Sequence, residues 1–152
     1  MRKFTTNSRE ETIELGEKIV KALPKDVKVI LLDGNLSAGK TTITKGIAKA
    51  LGVKGIVNSP TFTILKTYPG DVTLYHLDLY RLNEVGNDFD LEDYINDEDG
   101  FTVIEWPYQV NQLLPDRYVE LKLTFINEDT REIEVHSHHI NDEWEANIWN
   151  IY

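Results

Sequence analysis

The stretch "VKVILLDGNLSAGKTTITKGIAKALG", Val27 to Gly52, constrains this chain more than any other. "VKVILL" is nearly all apolar and β-branched, which suits a strand buried inside a sheet. "TTITKGIAKALG" reads as a helix with Gly52 as its natural C-terminal cap. Between them lies Gly34-x-x-x-x-Gly39-Lys40-Thr41. A glycine-bearing turn that leads from a buried strand into a helix points successive backbone N–H groups inward. The positive end of the helix dipole adds to them. The product is a phosphate cradle. In it Lys40 reaches the β- and γ-phosphates of a nucleotide, and the Thr41 hydroxyl joins a Mg²⁺ shell.

The rest of the chain supplies one α/β domain around this unit. Its 152 residues fit a single core, and 41% hydrophobic with 28% charged residues is ordinary globular composition. "SREE", Ser8 to Glu11, fits a capping box, and Ile13, Leu15, Ile19, Val20 and Leu23 follow at helical spacing until Pro24. "TFTILKTY" and "VTLYHLDLY" flank the turn signal "PGD" and predict a hairpin or two adjacent strands. In the acidic segment Asn83 to Gly100, Phe89, Leu91, Tyr94 and Ile95 are spaced for a short amphipathic helix. "FTVIEW", Phe101 to Trp106, reads as another buried strand, and "RYVELKLTF" with "REIEVHSH" as a second hairpin around "NED". The tail 141–152 reads equally as a short helix or a frayed end, Trp144 and Trp149 favouring packing.

Charge and composition exclude several classes. A net charge of −10 argues against unaided gripping of a DNA or RNA backbone, which draws its affinity from cations. Without cysteine there is no disulfide, thiolate metal site or cysteine nucleophile. No signal-like apolar core or membrane-length run is present, so a cytoplasmic location is expected.

A phosphate cradle also needs a carboxylate at a neighbouring strand end to hold the metal. Two residues qualify. Glu105 follows the apolar run "FTVI". Asp78, in "YHLDLYR", points away from the face of Leu77 and Leu79. Thr61, in "SPTFT", offers a hydroxyl in the segment after the P-loop helix, where nucleotide switches sense the γ-phosphate.

"GNLSAGKTT", "NSPTFTI", "YHLDLYRL" and "VIEWP", in that order and at these intervals, resemble the bacterial TsaE (YjeE) P-loop ATPases of tRNA threonylcarbamoyladenosine biosynthesis. The resemblance runs from the capped first helix to about Leu114. It implies a sheet with parallel core strands, antiparallel additions and flanking helices. Residues Ser37, Ala38, Gly39, Lys40, Thr41 and Thr42 would line the phosphates of ATP, with Thr41 and Glu105 as Mg²⁺ ligands. Asp78 would be a required acid of the site, Thr61 its switch-like threonine, and Trp106 a neighbour of the nucleotide. The base pocket would draw on the N-terminal segment and late strands, with Arg9 and Arg131 as candidates. The partners implied are TsaB-like and TsaD-like subunits, tRNA being reached only through that complex, which ATP hydrolysis resets or licenses.

Two residues depart from the family's usual glycine-aspartate-leucine-glycine-alanine-glycine-lysine-threonine. Asn35 replaces the aspartate and Ser37 the second glycine. If that glycine has positive φ, Ser37 carries strain on the order of 1 kcal/mol, which predicts slow turnover with binding preserved. A small-molecule kinase is the principal rival, weakened because Arg81 is the only arginine between the P-loop and Glu105. A nucleotide-gated module without useful hydrolysis is another. The guanine-reading Asn-Lys-x-Asp pattern is absent. "HSHH", His136 to His139, lacks a completing ligand set for zinc and reads as an exposed strand end.

Overall fold

Ser8 starts the first helix for the reason its side chain predicts. Its backbone is extended and its Oγ accepts the Glu11 amide at 3.1 Å, satisfying one of the donors that a helix start leaves without a partner. The computed structural model describes residues 1–35, 38–55, 57, 65–78, 91–105 and 114–150. In chain order these form β1 (Arg2–Thr6), α1 (Arg9–Ala22), β2 (Val29–Asp33), α2 (Lys40–Ala50), β3 (Leu65–Tyr68) and β4 (Thr73–Asp78). There follow α3 (Leu91–Ile95), β5 (Gly100–Glu105), β6 (Tyr118–Phe125), β7 (Arg131–His138) and a 3₁₀ segment, Asp142–Asn150.

The described strands make one sheet in the order β1-β7-β6-β2-β5-β4-β3. β2 runs parallel to both β5 and β6, and β4 runs parallel to β5. The hairpins β3–β4 and β6–β7 are antiparallel, as is the β1–β7 edge. The parallel register sets Leu32 beside Glu105 and Asp78 beside Glu105. Three strands thus end at the edge where α2 begins.

The unbroken apolar run of β2 has a simple cause. Ile30 and Leu32 enter the larger core with Leu15, Ile43, Ile47 and Val103, while Val29 and Leu31 enter a smaller one with Leu77, Ile95 and Ile104. Helices α1 and α2 cross against each other through two glycines. A Cβ on Gly16 would stand 2.4 Å from the Ile43 carbonyl oxygen, and one on Gly46 1.9 Å from that of Ile13. Helix α2 stops in a Schellman arrangement, with Gly52 at φ +75° and the Val53 amide bonded to the Ala48 carbonyl at 3.0 Å.

One element goes beyond the sequence expectations, and a second, left open between two alternatives, is settled. "RKFTT" carries too little apolar signal to be read as a strand, burying only Phe4 and Thr6, yet it pairs along the edge of β7. For the C-terminal segment the short helix, not the frayed end, is what forms over Asp142–Asn150, and it is of the 3₁₀ type. It docks on α1, with Trp144 and Ile148 in the main core and Trp144 Nε1 donating to Ser137 Oγ at 3.0 Å. No helix among the described residues is long and apolar enough to cross a membrane.

Candidate functional site

Gly39 turns the chain into α2. Its φ of +101° lies where side chains are disfavoured, so glycine is required at this position. Ile43 N–H closes a helical bond onto Gly39 C=O at 2.9 Å, and the amides of the first turn have no carbonyl inside the helix to reach. Gly34, at the other end of the loop, lies so close to β6 that a Cβ would stand 2.7 Å from Leu123 O. These two glycines pin the ends of the cradle. Ala38 is buried and Thr41 and Thr42 are half-buried in the first turn of α2. Ser37 lies outside the described residues, as do Thr61 and Trp106.

Lys40 and Glu105 meet here. Both side chains are 5% exposed, and Lys40 Nζ lies 3.6 Å from Glu105 Oε1. Burying either charge alone would be costly, so each stabilises the other. The second carboxylate oxygen, Oε2, lies 2.5 Å from Nε2 of His76, a fully buried residue of β4. Asp78 is next to Glu105 by strand register and half-buried. The structure therefore brings Lys40, Thr41, Asp78 and Glu105 to one edge.

His76 is the residue that the sequence reading passed over. The signal was present: it stands two residues before Asp78, and period-2 alternation puts both on one face of β4.

A cavity of about 170 Å³ adjoins the start of α2, lined by Ser8, Arg9, Thr12, Gly39, Thr42, Glu128, Asp129 and Arg131. Both arginine candidates for the base pocket thus border it. Arg131 stacks its guanidinium 4.6 Å from the Phe125 ring centroid and donates to the Asn127 carbonyl at 2.5 Å. These contacts hold it at the mouth of the cavity.

The histidines near the C-terminus are half-buried apart from His139, which corrects the exposed strand end expected for "HSHH". His138 stacks on Tyr118 with centroids 4.4 Å apart, and His136 Nε2 lies 3.2 Å from Glu134 Oε1.

The family model for the threonylcarbamoyl adenosine biosynthesis protein TsaE matches residues 6–133. The chain belongs to the TsaE family. A relative from Bacillus subtilis, named tRNA threonylcarbamoyladenosine biosynthesis protein TsaE, is 40% identical over 132 residues, covering 86% of this chain and 82% of that protein. A relative of the same name from Treponema pallidum is 38% identical, covering 86% and 96%. Among solved structures, Bacillus subtilis YdiB superposes with a TM-score of 0.74 at 31% identity, over 98% of this chain and 91% of that one. The match to the TsaE model begins at Thr6, just ahead of the capped α1, and ends in β7 at Ile133, so it takes in P-loop, His76, Asp78, Glu105 and Arg131.

Proposed function

We propose that this TsaE-family chain binds and hydrolyses Mg-ATP in the biosynthesis of threonylcarbamoyladenosine in tRNA, acting in the cytoplasm with TsaB-like and TsaD-like subunits. The observation that carries the reading is the buried Lys40–Glu105 pair at the start of α2. Lys40 is the cation a polyphosphate seeks, and Glu105 the hard oxygen donor a magnesium ion seeks. A Mg-nucleotide brings each of them a new partner at once. Lys40 would turn from Glu105 to phosphate oxygens, and Glu105 would be freed to hold the metal. Nucleotide without metal satisfies only Lys40 and leaves the Glu105 carboxylate facing phosphate charge. The site is therefore built to couple the two ligands.

The residues fit the ion. Thr41 Oγ1 and a Glu105 oxygen would hold magnesium, which supplies neutralisation of the charge that develops on the phosphates. The chain's own residues do the rest. Lys40 and the first amides of α2 would orient the γ-phosphate, and Asp78, in register with Glu105, would orient the attacking water. Thr61 is assigned the switch-like role that its sequence context suggests. Arg9 and Arg131 border the space open to the nucleoside. The acidic balance of the chain agrees with leaving tRNA to a partner surface.

The test is phosphate release from ATP, measured for the chain alone and with the two partner subunits, together with nucleotide-dependent co-purification. Release that rises in the assembled complex is expected. Transfer of the γ-phosphate to a small acceptor, or no association in any nucleotide state, would overturn the proposal.

A further inference from the structure

His76 has no evident reason to be polar. It lies in the middle of β4, fully buried, between Lys66 of β3 and Val103 of β5 in the sheet register. A leucine or valine would fill such a position without the cost of desolvating a ring nitrogen. Among the described residues its ring has one hydrogen-bond partner, Glu105, while Nδ1 has none. The position is thus specific for a donor to that carboxylate.

We infer that His76 is a positioning residue for the metal ligand. With the proton on Nε2, the ring donates to Glu105 Oε2 at 2.5 Å and fixes the plane of the carboxylate. The other oxygen, Oε1, is left facing Lys40 and the phosphate loop. A glutamate at a strand end otherwise rotates about three side-chain bonds and would have to be ordered when magnesium arrives. Tying one oxygen in advance removes that requirement, as outer-shell donors do for metal ligands generally. An arginine or lysine here would bring a permanent charge to the carboxylate and compete with the ion. An imidazole donates from one nitrogen without having to. This inference deepens the Mg-ATP reading above and rests on it.

The test is calorimetric titration of a non-hydrolysable ATP analogue into the intact chain, with magnesium and separately with EDTA. Wild type should bind more tightly with magnesium. In His76→Leu, binding in EDTA should be unchanged, while the magnesium concentration giving half the metal-dependent gain rises about 10- to 100-fold. His76→Gln, whose amide nitrogen reaches the place of Nε2, should recover most of that loss. In a Glu105→Gln background, His76→Leu should add nothing. Should His76→Leu fail to fold, His76→Asn, too short to reach Oε2, takes its place. Unaltered magnesium dependence in the Leu or Asn variant, or equal losses with and without metal, would overturn the positioning role. Absence of magnesium-dependent binding in wild type would instead overturn the functional reading beneath it.

Discussion

Two neighbouring residues of β4 hold two carboxylates on opposite faces of the sheet, and the contrast between them is instructive. Tyr75 donates its hydroxyl to Asp97 Oδ2 at 2.6 Å; His76 pairs with Glu105 Oε2 at 2.5 Å. The lengths are nearly equal. The surroundings are not: Glu105 is 4% exposed and faces Lys40, whereas Asp97 stands at the solvent-washed turn before β5. The Tyr75 hydroxyl holds the Asp97 carboxyl below its ordinary range, helped by the Asp99 amide. The same bond, with burial, pushes the Tyr75 phenol up. Water screens the Asp97 bond and can replace it. Glu105 is closed off from solvent, so one lost partner leaves a buried charge. Equal geometry therefore predicts unequal consequences.

At the carboxylates themselves the largest effect should come from Glu105→Gln, which keeps shape and hydrogen-bonding capacity but removes the charge. Magnesium-dependent ATP hydrolysis by the complex should fall about 100- to 1000-fold, the range for deleting one charge-stabilising group. ATP binding in EDTA should tighten, because Lys40 loses its competing partner. A calorimetric titration that found metal-free binding weakened would break the proposed exchange of partners.

Lys40→Met removes the cation and keeps the stem. It should abolish nucleotide binding and cost about 1–3 kcal/mol of stability, since Glu105 keeps His76 but loses its counter-charge. Urea unfolding of the nucleotide-free chain measures this. Gly46→Ala is the control away from both carboxylates. A methyl 1.9 Å from the Ile13 carbonyl forces α1 and α2 apart, at about 1–3 kcal/mol, with the magnesium dependence of nucleotide binding preserved in the folded fraction.

The smallest effect belongs to Tyr75→Phe. A carboxyl held below its ordinary value contributes stability that is present above about pH 4 and is lost as pH falls below it. A phenol pushed up contributes stability below about pH 10, lost as pH rises through its raised value. Phenylalanine should lower the neutral plateau of a melting-temperature profile slightly, flattening both limbs, and leave the acid and alkaline ends nearly unchanged. A loss at neutral pH as large as that of Lys40→Met would erase the distinction between the two carboxylates.

Much of this molecule was legible because its decisive signals are local. The strand before the loop, the two fixed glycines, the cap at Ser8 and the Schellman stop at Gly52 each depend on a few adjacent residues. Glu105 and Asp78 were legible as strand-end carboxylates for the same reason. The elements that escaped or stayed undecided are those whose stability comes from elsewhere in the chain. β1 has little pattern of its own and exists because β7 offers an edge, and the C-terminal turn is decided by the surface of α1. The two helices touch through glycines whose role is visible only once both helices are packed.

By itself the sequence determined that a phosphate cradle stands between a buried strand and a helix, because glycine spacing and apolar runs act over the length of one turn or strand. Only the tertiary structure decided what surrounds it. His76 and Glu105 are 29 residues apart, and their meeting rests on the parallel register of β4 with β5. A one-residue slip would send either side chain to the other face of the sheet. Local chemistry made the cradle, and long-range register placed the carboxylate opposite it.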